Sequence, residues 1–203
     1  MARYTGPKTK ISRIFGEPIL GNGKWLNKNS NPPGQHGAAR KRKSLGEYAL
    51  QLREKQKAKY TYGVLEKQFR GYFEEADRMK GVTGENLLSL LERRFDNVVY
   101  RLGFASSRTE ARILVRHNHF MLNGRKANIP SIQLRAGDVI ELKEKSRKIV
   151  CINESLDAVV RRGIPQWLEL DKDAYKGVVK LLPVREDLAI PIQEQLIVEL
   201  YSK

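Results

Sequence analysis

Cysteine occurs once in 203 residues, as Cys151, so the chain can close no disulfide on itself. Histidine occurs three times, as His36, His117 and His119, and with one thiol this leaves too few donors for a protein-only zinc site. His117 and His119 stand two apart with no third ligand nearby, a setting for phosphate or base contact, or for plain exposure, rather than for metal. No apolar run approaches the roughly 18 residues of a membrane span, and the N-terminus lacks the apolar stretch of a secretory signal. The expectation is a soluble cytosolic protein with no membrane partner. Also missing are a Gly-rich phosphate loop, a metal-ligand cluster and a credible nucleophile and base pair, so no enzyme and no cofactor are expected. Asp96 reads as a helix-stabilising acid, not a catalytic one.

Acids are scarce as well: 23 Asp and Glu face 38 Lys and Arg, giving a net charge of +15 and a pI near 10.0. Such an excess asks for a polyanionic partner, although charge alone does not separate nucleic acid from acidic lipid. Its distribution says more. Residues 1–60 carry 14 Lys and Arg against 3 Asp and Glu, whereas residues 61–203 carry 24 against 20. Within residues 1–43 the density of Gly, Pro and Asn, including Pro33-Gly34-Gln35-His36-Gly37, predicts an extended arm that holds no helix. Tyr4, Ile11, Ile14, Phe15, Ile19, Leu20 and Trp25 are more apolar residues than a solvated tail needs. A basic segment that orders on RNA accounts for both features.

Helices are expected next. Ser44 and Glu47 have capping-box spacing ahead of a helix whose cations are Arg53, Lys55, Lys57 and Lys59, and Arg40-Lys41-Arg42-Lys43 lies directly before it. Residues 61–80 form an amphipathic helix with Leu65, Phe69, Tyr72, Phe73 and Ala76 on its core face, ended by Gly81. A further helix covers Thr83 to Leu91.

Residues 93–126 carry the strongest functional signal. At about 100° per residue, Phe95, Val98, Val99 and Leu102 share one helix face, and Arg94, Asn97 and Arg101 share its neighbour. Gly103 stops that helix, and Ser107 with Glu110 three residues later opens the next. Here Ala111, Leu114 and Val115 form the buried stripe and Arg108, Arg112 and Arg116 recur along its edge. Apart from Glu110 these arginines have no acidic partner four residues away, which predicts that they need an external anion. His119-Phe120-Met121-Leu122, Asn123-Gly124 and Arg125-Lys126 have the composition of a hairpin with a type I′ turn. Residues 138–142 would be a last strand closing a small sheet.

The C-terminal part is expected to contain a helix from Ser155 to Arg162, extended segments at Ile164–Leu170 and Val178–Leu182, and a closing helix from Ile192 to Tyr201. Trp167, in an aliphatic segment, reads as core. With nine acids against seven bases, residues 151–203 form the side suited to a protein neighbour, through residues such as Glu194 and Glu199.

Several motifs, in order along nearly the whole chain, resemble the bacterial small-subunit ribosomal protein four family. They are Met1-Ala2-Arg3-Tyr4-Thr5-Gly6-Pro7-Lys8, the Pro33-to-Gly37 turn, Leu52-Arg53-Glu54-Lys55-Gln56-Lys57, Tyr62-Gly63-Val64-Leu65-Glu66, Leu91-Glu92-Arg93-Arg94-Phe95-Asp96-Asn97-Val98-Val99-Tyr100-Arg101-Leu102-Gly103 and Leu196-Ile197-Val198-Glu199-Leu200-Tyr201-Ser202-Lys203. The resemblance implies a small-subunit constituent that binds a multi-helix junction in the 5′ domain of 16S rRNA early in assembly. It also implies a place beside small-subunit protein five and other small-subunit proteins near the messenger path, an influence on decoding accuracy, and no homo-oligomer. Carried over by position, Arg93, Arg94, Asn97, Arg101, Arg108, Arg112, Arg116, His117, Asn118, His119, Asn123, Gly124, Arg125 and Lys126 would line the RNA-gripping module. Arg3, Lys8, Lys10, Arg13, Gly34, Gln35, His36 and Gly37 would thread between RNA helices, joined by Arg53, Lys55 and Lys57. Arg40, Lys41, Arg42 and Lys43 could also touch messenger RNA. Some members carry a zinc-binding cysteine cluster in the arm; residues 1–45 here contain no cysteine, so a metal-free arm is expected.

The expected fold class is therefore α+β: an extended basic arm (1–43), a helical domain (44–92) joined by the terminal helix (192–203), and a helix-helix-β-hairpin module of the α-L type with a small twisted sheet (93–150). Residues 151–191 form a mixed α/β remainder of the second domain. Two other classes fit less well. A free RNA chaperone or stalled-ribosome factor would not require the arm and the terminal motif, and an RNA-modifying enzyme would require a catalytic domain.

Overall fold

The computed structural model describes residues 4–20, 24–38, 46–188 and 191–202. Arg3, Arg40, Lys41, Arg42, Lys43 and Ser44 lie outside the described residues, as do the readings attached to them. In chain order the elements are α1 (Lys8–Phe15), α2 (Lys24–Lys28), α3 (Glu47–Tyr62), α4 (Glu66–Arg78), α5 (Thr83–Glu92), α6 (Phe95–Arg101), α7 (Arg108–Arg116), β1 (Phe120–Leu122), β2 (Arg125–Lys126), β3 (Val139–Leu142), α8 (Val150–Arg162), β4 (Leu168–Asp171), β5 (Lys176–Val179) and α9 (Glu194–Tyr201). They form an α+β chain in two compact units, Met1–Arg78 with Pro191–Lys203, and Met79–Ile190. The division at Met79 places α5 in the second unit, not with the helices before it.

In the first unit the reading that residues 1–43 hold no helix is wrong. Ile11 and Phe15, four apart and both buried, give α1 an apolar stripe, and Gly16 at φ 75° ends it while donating its N–H to the Ser12 carbonyl. Phe15 and Tyr4 both pack edge-on against Tyr60 of α3, with ring centroids 6.2 and 5.3 Å away. The N-cap of α3 is Gly46, which offers no side-chain cap, so Glu47 is the first helical residue. Phe69, Phe73 and Ala76 of α4 are buried as core, whereas Leu65 is 38% exposed. Tyr201 of α9 stacks on Phe73 at 4.6 Å, which ties the end of the chain into this unit.

In the second unit a five-stranded antiparallel sheet has the order β2-β1-β3-β5-β4. Residues 138–142 therefore do not close the sheet. β3 is its central strand, because the C-terminal part of the unit contributes β5 and β4, which pair beyond it. Alternation along β3 turns Ile140 and Leu142 into the core. That core joins Phe95, Val98 and Val99 of α6 and Leu102 directly after it, Ala111, Leu114 and Val115 of α7, Phe120 of β1 and Trp167, which is 1% exposed. Each fully buried aliphatic or aromatic side chain contributes roughly 1.5–3 kcal/mol, so the apolar face of α6 is what fixes it on the sheet. A glycine makes this approach possible: a Cβ at Gly177 of β5 would overlap the Leu102 side chain.

Candidate nucleic-acid interface

The arginines of α6 and α7 are organised around two buried acids. Asp96, 2% exposed, accepts two bonds from Arg94, Nε to Oδ1 at 3.1 Å and Nη2 to Oδ2 at 3.0 Å. Arg112 of α7 reaches the same carboxylate, with Nε 2.7 Å and Nη2 2.6 Å from Oδ2. Arg94 is itself 1% exposed, because it is the N-cap of α6, at ψ 135°, and its backbone bridges Gln133. A helical wheel does not describe a residue in extended conformation, so the expected face of Arg94 with Asn97 and Arg101 does not exist.

The second acid is Glu92, the last residue of α5, which is fully buried. It accepts from Asn97 Nδ2 at 2.6 Å and from Arg101 through Nε at 3.0 Å and Nη2 at 2.7 Å. With its amide so oriented, Asn97 presents Oδ1 to Arg108 Nε at 2.7 Å, and the Arg108 guanidinium lies 4.7 Å over the Tyr100 ring. Salt bridging within the chain thus accounts for Arg94, Arg101 and Arg112, and for Arg112 it overturns the reading that the arginines along α7 need an external anion. The acids were missed because they sit at the end of the preceding helix and in the first turn of α6, outside any i,i+4 relation to these arginines. Arg93 likewise donates from Nε to the Leu134 carbonyl at 2.9 Å.

What remains exposed is the end of α7 and the hairpin. Positions four apart rotate by about 40° per step on a helix of 3.6 residues per turn, so Arg112 turns inward while Arg116 is exposed. Ser107 caps α7 by accepting the Glu110 N–H, and the Glu110 carboxylate returns to the Ser106 N–H, one residue before the expected partner. Asn123 (φ 49°) and Gly124 (φ 72°) form the two-residue turn, with Leu122 paired to Arg125, as the type I′ reading requires. Asn123 is anchored: its Nδ2 donates to Asp138 Oδ1 at 2.9 Å and its Oδ1 accepts the Val139 N–H at 2.8 Å. This leaves Arg125 and Lys126 exposed beyond the turn, with no ion pair among the described residues.

At the other end of β1, Asn118 takes φ 63° and His119 Nδ1 lies 2.9 Å from Ser146 Oγ. Burial, followed by the nearby His117 and Lys143, holds the His119 imidazole below its ordinary range. Lys143, Lys145 and Lys148 stand in this region and are absent from the sequence-based set. The run Lys143-Glu144-Lys145-Ser146-Arg147-Lys148, with four cations in six residues, was the signal for them.

In the first unit the cations of α3 are also occupied. Spaced two apart, they fall alternately on opposite sides of the helix. Arg53 Nη2 donates to the Phe15 carbonyl at 2.8 Å and Lys57 pairs with Glu17 at 2.8 Å, while Lys55 and Lys59 converge on Glu66 at 2.7 and 3.2 Å. Tyr201 donates its hydroxyl to Glu66 at 2.9 Å. Burial pushes the Glu66 carboxyl up, but bonds from Lys55, Tyr201 and Lys59 outweigh it and hold the group below its usual range. The Tyr201 phenol is raised by burial and by Glu66. Arg13 is spent on the carbonyls of Asn31 (2.8 Å) and Pro32 (3.2 Å), where Gly34 at φ 115° turns the chain and Gly37, buried, leaves no room for a Cβ against the Pro32 carbonyl. Lys8, Lys10, Gln35 and His36 are exposed.

This arrangement offers cations to an anion and little else. Cys151 is exposed beside Glu110, and partial burial and that carboxylate push its thiol up, the reverse of what a nucleophilic thiol needs. Among the described residues no group of three or more His, Cys, Asp or Glu is placed to hold a metal ion, and no helix is long and apolar enough to cross a membrane.

Comparison with known proteins gives matches over the whole length. Residues 3–92 match the model of the ribosomal protein S4/S9 N-terminal domain, and residues 93–140 match the S4 domain. The small ribosomal subunit proteins uS4 of Geobacter sulfurreducens and Geobacter metallireducens are each 73% identical, with all of both chains covered, and that of Geotalea uraniireducens is 67% identical over the same span.

Proposed function

The chain belongs to the family of small ribosomal subunit protein uS4, and on that premise we propose that it is a non-catalytic constituent of the small ribosomal subunit, working on the ribosome in the cytoplasm. It binds 16S rRNA at a junction of helices in the 5′ domain and so nucleates assembly. The observation that carries this reading is the exposed set Arg116, His117, Arg125 and Lys126 on a module in which Asp96 and Glu92 lock Arg94, Arg101 and Arg112. Those buried pairs make the scaffold rigid, and the exposed cations present charge to phosphate without paying for reordering. Recognition is then by backbone shape, not by base sequence.

Lys8, Lys10, Gln35 and His36 offer a second set of contacts on the first unit. Contact with small-subunit protein five, an influence on accuracy and contact of Arg40 to Lys43 with messenger RNA rest on family resemblance. Of the acids first assigned to a protein neighbour, Glu199 instead accepts Gln51 Nε2 at 3.0 Å and serves the chain's own packing.

Binding of the full chain to a 16S rRNA 5′-domain fragment, measured across salt concentrations, tests the mechanism. The log of the binding constant should fall by roughly 0.7–0.9 per log unit of salt for each phosphate neutralised; a flat dependence refutes it. Stoichiometric retention on small subunits after a high-salt wash supports the structural role, and release at modest salt points to a free factor.

A further inference from the structure

Beyond the matched S4 domain, which ends at residue 140, a second cationic surface is built from two segments far apart in sequence. β1 and β3 bring them together: Phe120 pairs with Leu142, and the Lys143 N–H donates to the His119 carbonyl at 2.9 Å. The 3-10 turn Glu144–Ser146 then places Ser146 Oγ 2.9 Å from His119 Nδ1. The segment that follows α7, after Arg116 and His117, thereby meets the segment that carries Lys143, Lys145 and Lys148. None of Arg116, Lys143, Lys145 and Lys148 forms an ion pair among the described residues. Arg147 does not belong to the set, since its guanidinium lies 5.4 Å over the Tyr175 ring. Glu144 is the one acid of the turn, and it too forms no ion pair among those residues.

This cluster is separate from the hairpin tip. Asn123 is tied to Asp138 and Val139 at the start of β3, whereas Lys143 follows its end, and four strand residues span roughly 13 Å. We propose that Lys143, Lys145 and Lys148, with Arg116 and His117, form a second RNA-phosphate site of this unit, in which a phosphate docks against the His117–His119 segment. The proposal rests on the RNA-binding reading above and extends it past the S4 domain. Unpaired lysines around a half-buried imidazole leave a local positive field that an anion relieves. The groups facing His119 are His117, Lys143 and Ser146, so an arriving phosphate favours its protonated form, and binding takes up a proton there.

The experiment uses the full chain and the 16S rRNA 5′-domain fragment with two sets of substitutions: Lys143→Gln, Lys145→Gln and Lys148→Gln together, and Arg125→Gln with Lys126→Gln. The triple change should lower the salt slope by roughly 2, as expected for about three lost phosphate contacts. NMR titration of the His119 ring should show its pKa rising on RNA binding in the parent. An unchanged slope in the triple variant, with no rise at His119, overturns the second site while a loss in the tip variant leaves the RNA-binding reading standing. Loss in neither variant, with a flat salt dependence of the parent, removes that reading itself.

Discussion

Both units gather several cations around a single carboxylate, but they do so in different dielectric surroundings. In the second unit Asp96 and Glu92 have side chains 3% and 0% exposed, and Arg94 and Arg112 are 1% and 9% exposed. In the first, the Glu66 and Glu17 side chains are 45% and 43% exposed while their lysine partners are covered. Water screens the pairs of the first unit and not those of the second, so the same count of ion pairs means different things. In the helix-helix module they hold the scaffold; beside α3 they align elements already held by aromatic packing through Tyr60, Phe73 and Tyr201.

The sharpest way to break this comparison is to remove one acid from each side. Asp96→Ala leaves Arg94 and Arg112 without their shared carboxylate, and breaking a buried pair in this way costs about 3–5 kcal/mol. Urea unfolding should show the loss in the transition of the second unit. A cost below about 1 kcal/mol there would mean that water reaches the site. Glu66→Gln should cost no more than about 1 kcal/mol, confined to the first unit.

The half-exposed cluster also has a pH signature. Glu66 titrates below its ordinary range in the folded chain, so its contribution is present above the unfolded carboxyl pKa and is lost as pH falls through the folded value. Tyr201 has the opposite sense: its phenol is raised, so its contribution is full below the unfolded pKa and is lost as pH rises above about 10. Docking of α9, followed by proteolysis at the C-terminus, should therefore weaken at both ends of the pH range. Tyr201→Phe should abolish the alkaline limb and keep the acid one, where Lys55 and Lys59 still hold Glu66. An alkaline limb that survives this change would place its origin elsewhere.

Much of this was legible in advance, and the failures have separate causes. The apolar faces of α6 and α7, the Phe69, Phe73 and Ala76 part of the α4 face, the Ser107 cap and the Asn123-Gly124 turn are local patterns of period 3.6 or of two residues, and they appear in place. The pairing of Arg101 with Glu92, nine residues back, and of Arg112 with Asp96, sixteen back, is tertiary and leaves no such periodicity. Arg53, Lys55, Lys57 and Lys59 looked like one cationic half, although their spacing already placed alternate members on opposite sides of α3. The helix α1 was hidden because Gly and Pro flank it without interrupting it, at Pro7 and Gly16. Lys143, Lys145 and Lys148 were passed over because their significance depends on β1–β3 pairing, which carries them to His119.

The smallest predicted effect on stability is the most telling, because it compares two arginines on one helix. Arg112 and Arg116 are four residues apart on α7, identical in chemistry and indistinguishable in a count of basic residues. Arg112→Gln removes a guanidinium from Asp96 and should destabilise the second unit by several kcal/mol, with any loss of RNA affinity tracking the loss of fold. Arg116→Gln removes an exposed charge that forms no ion pair among the described residues and should change stability by less than about 0.5 kcal/mol, yet lower the salt slope of RNA binding by about 1. Thermal unfolding and binding measured on the same two variants separate the roles: if Arg116→Gln alters stability as much as Arg112→Gln, the division of these arginines into those that hold the module and those that meet the RNA is wrong.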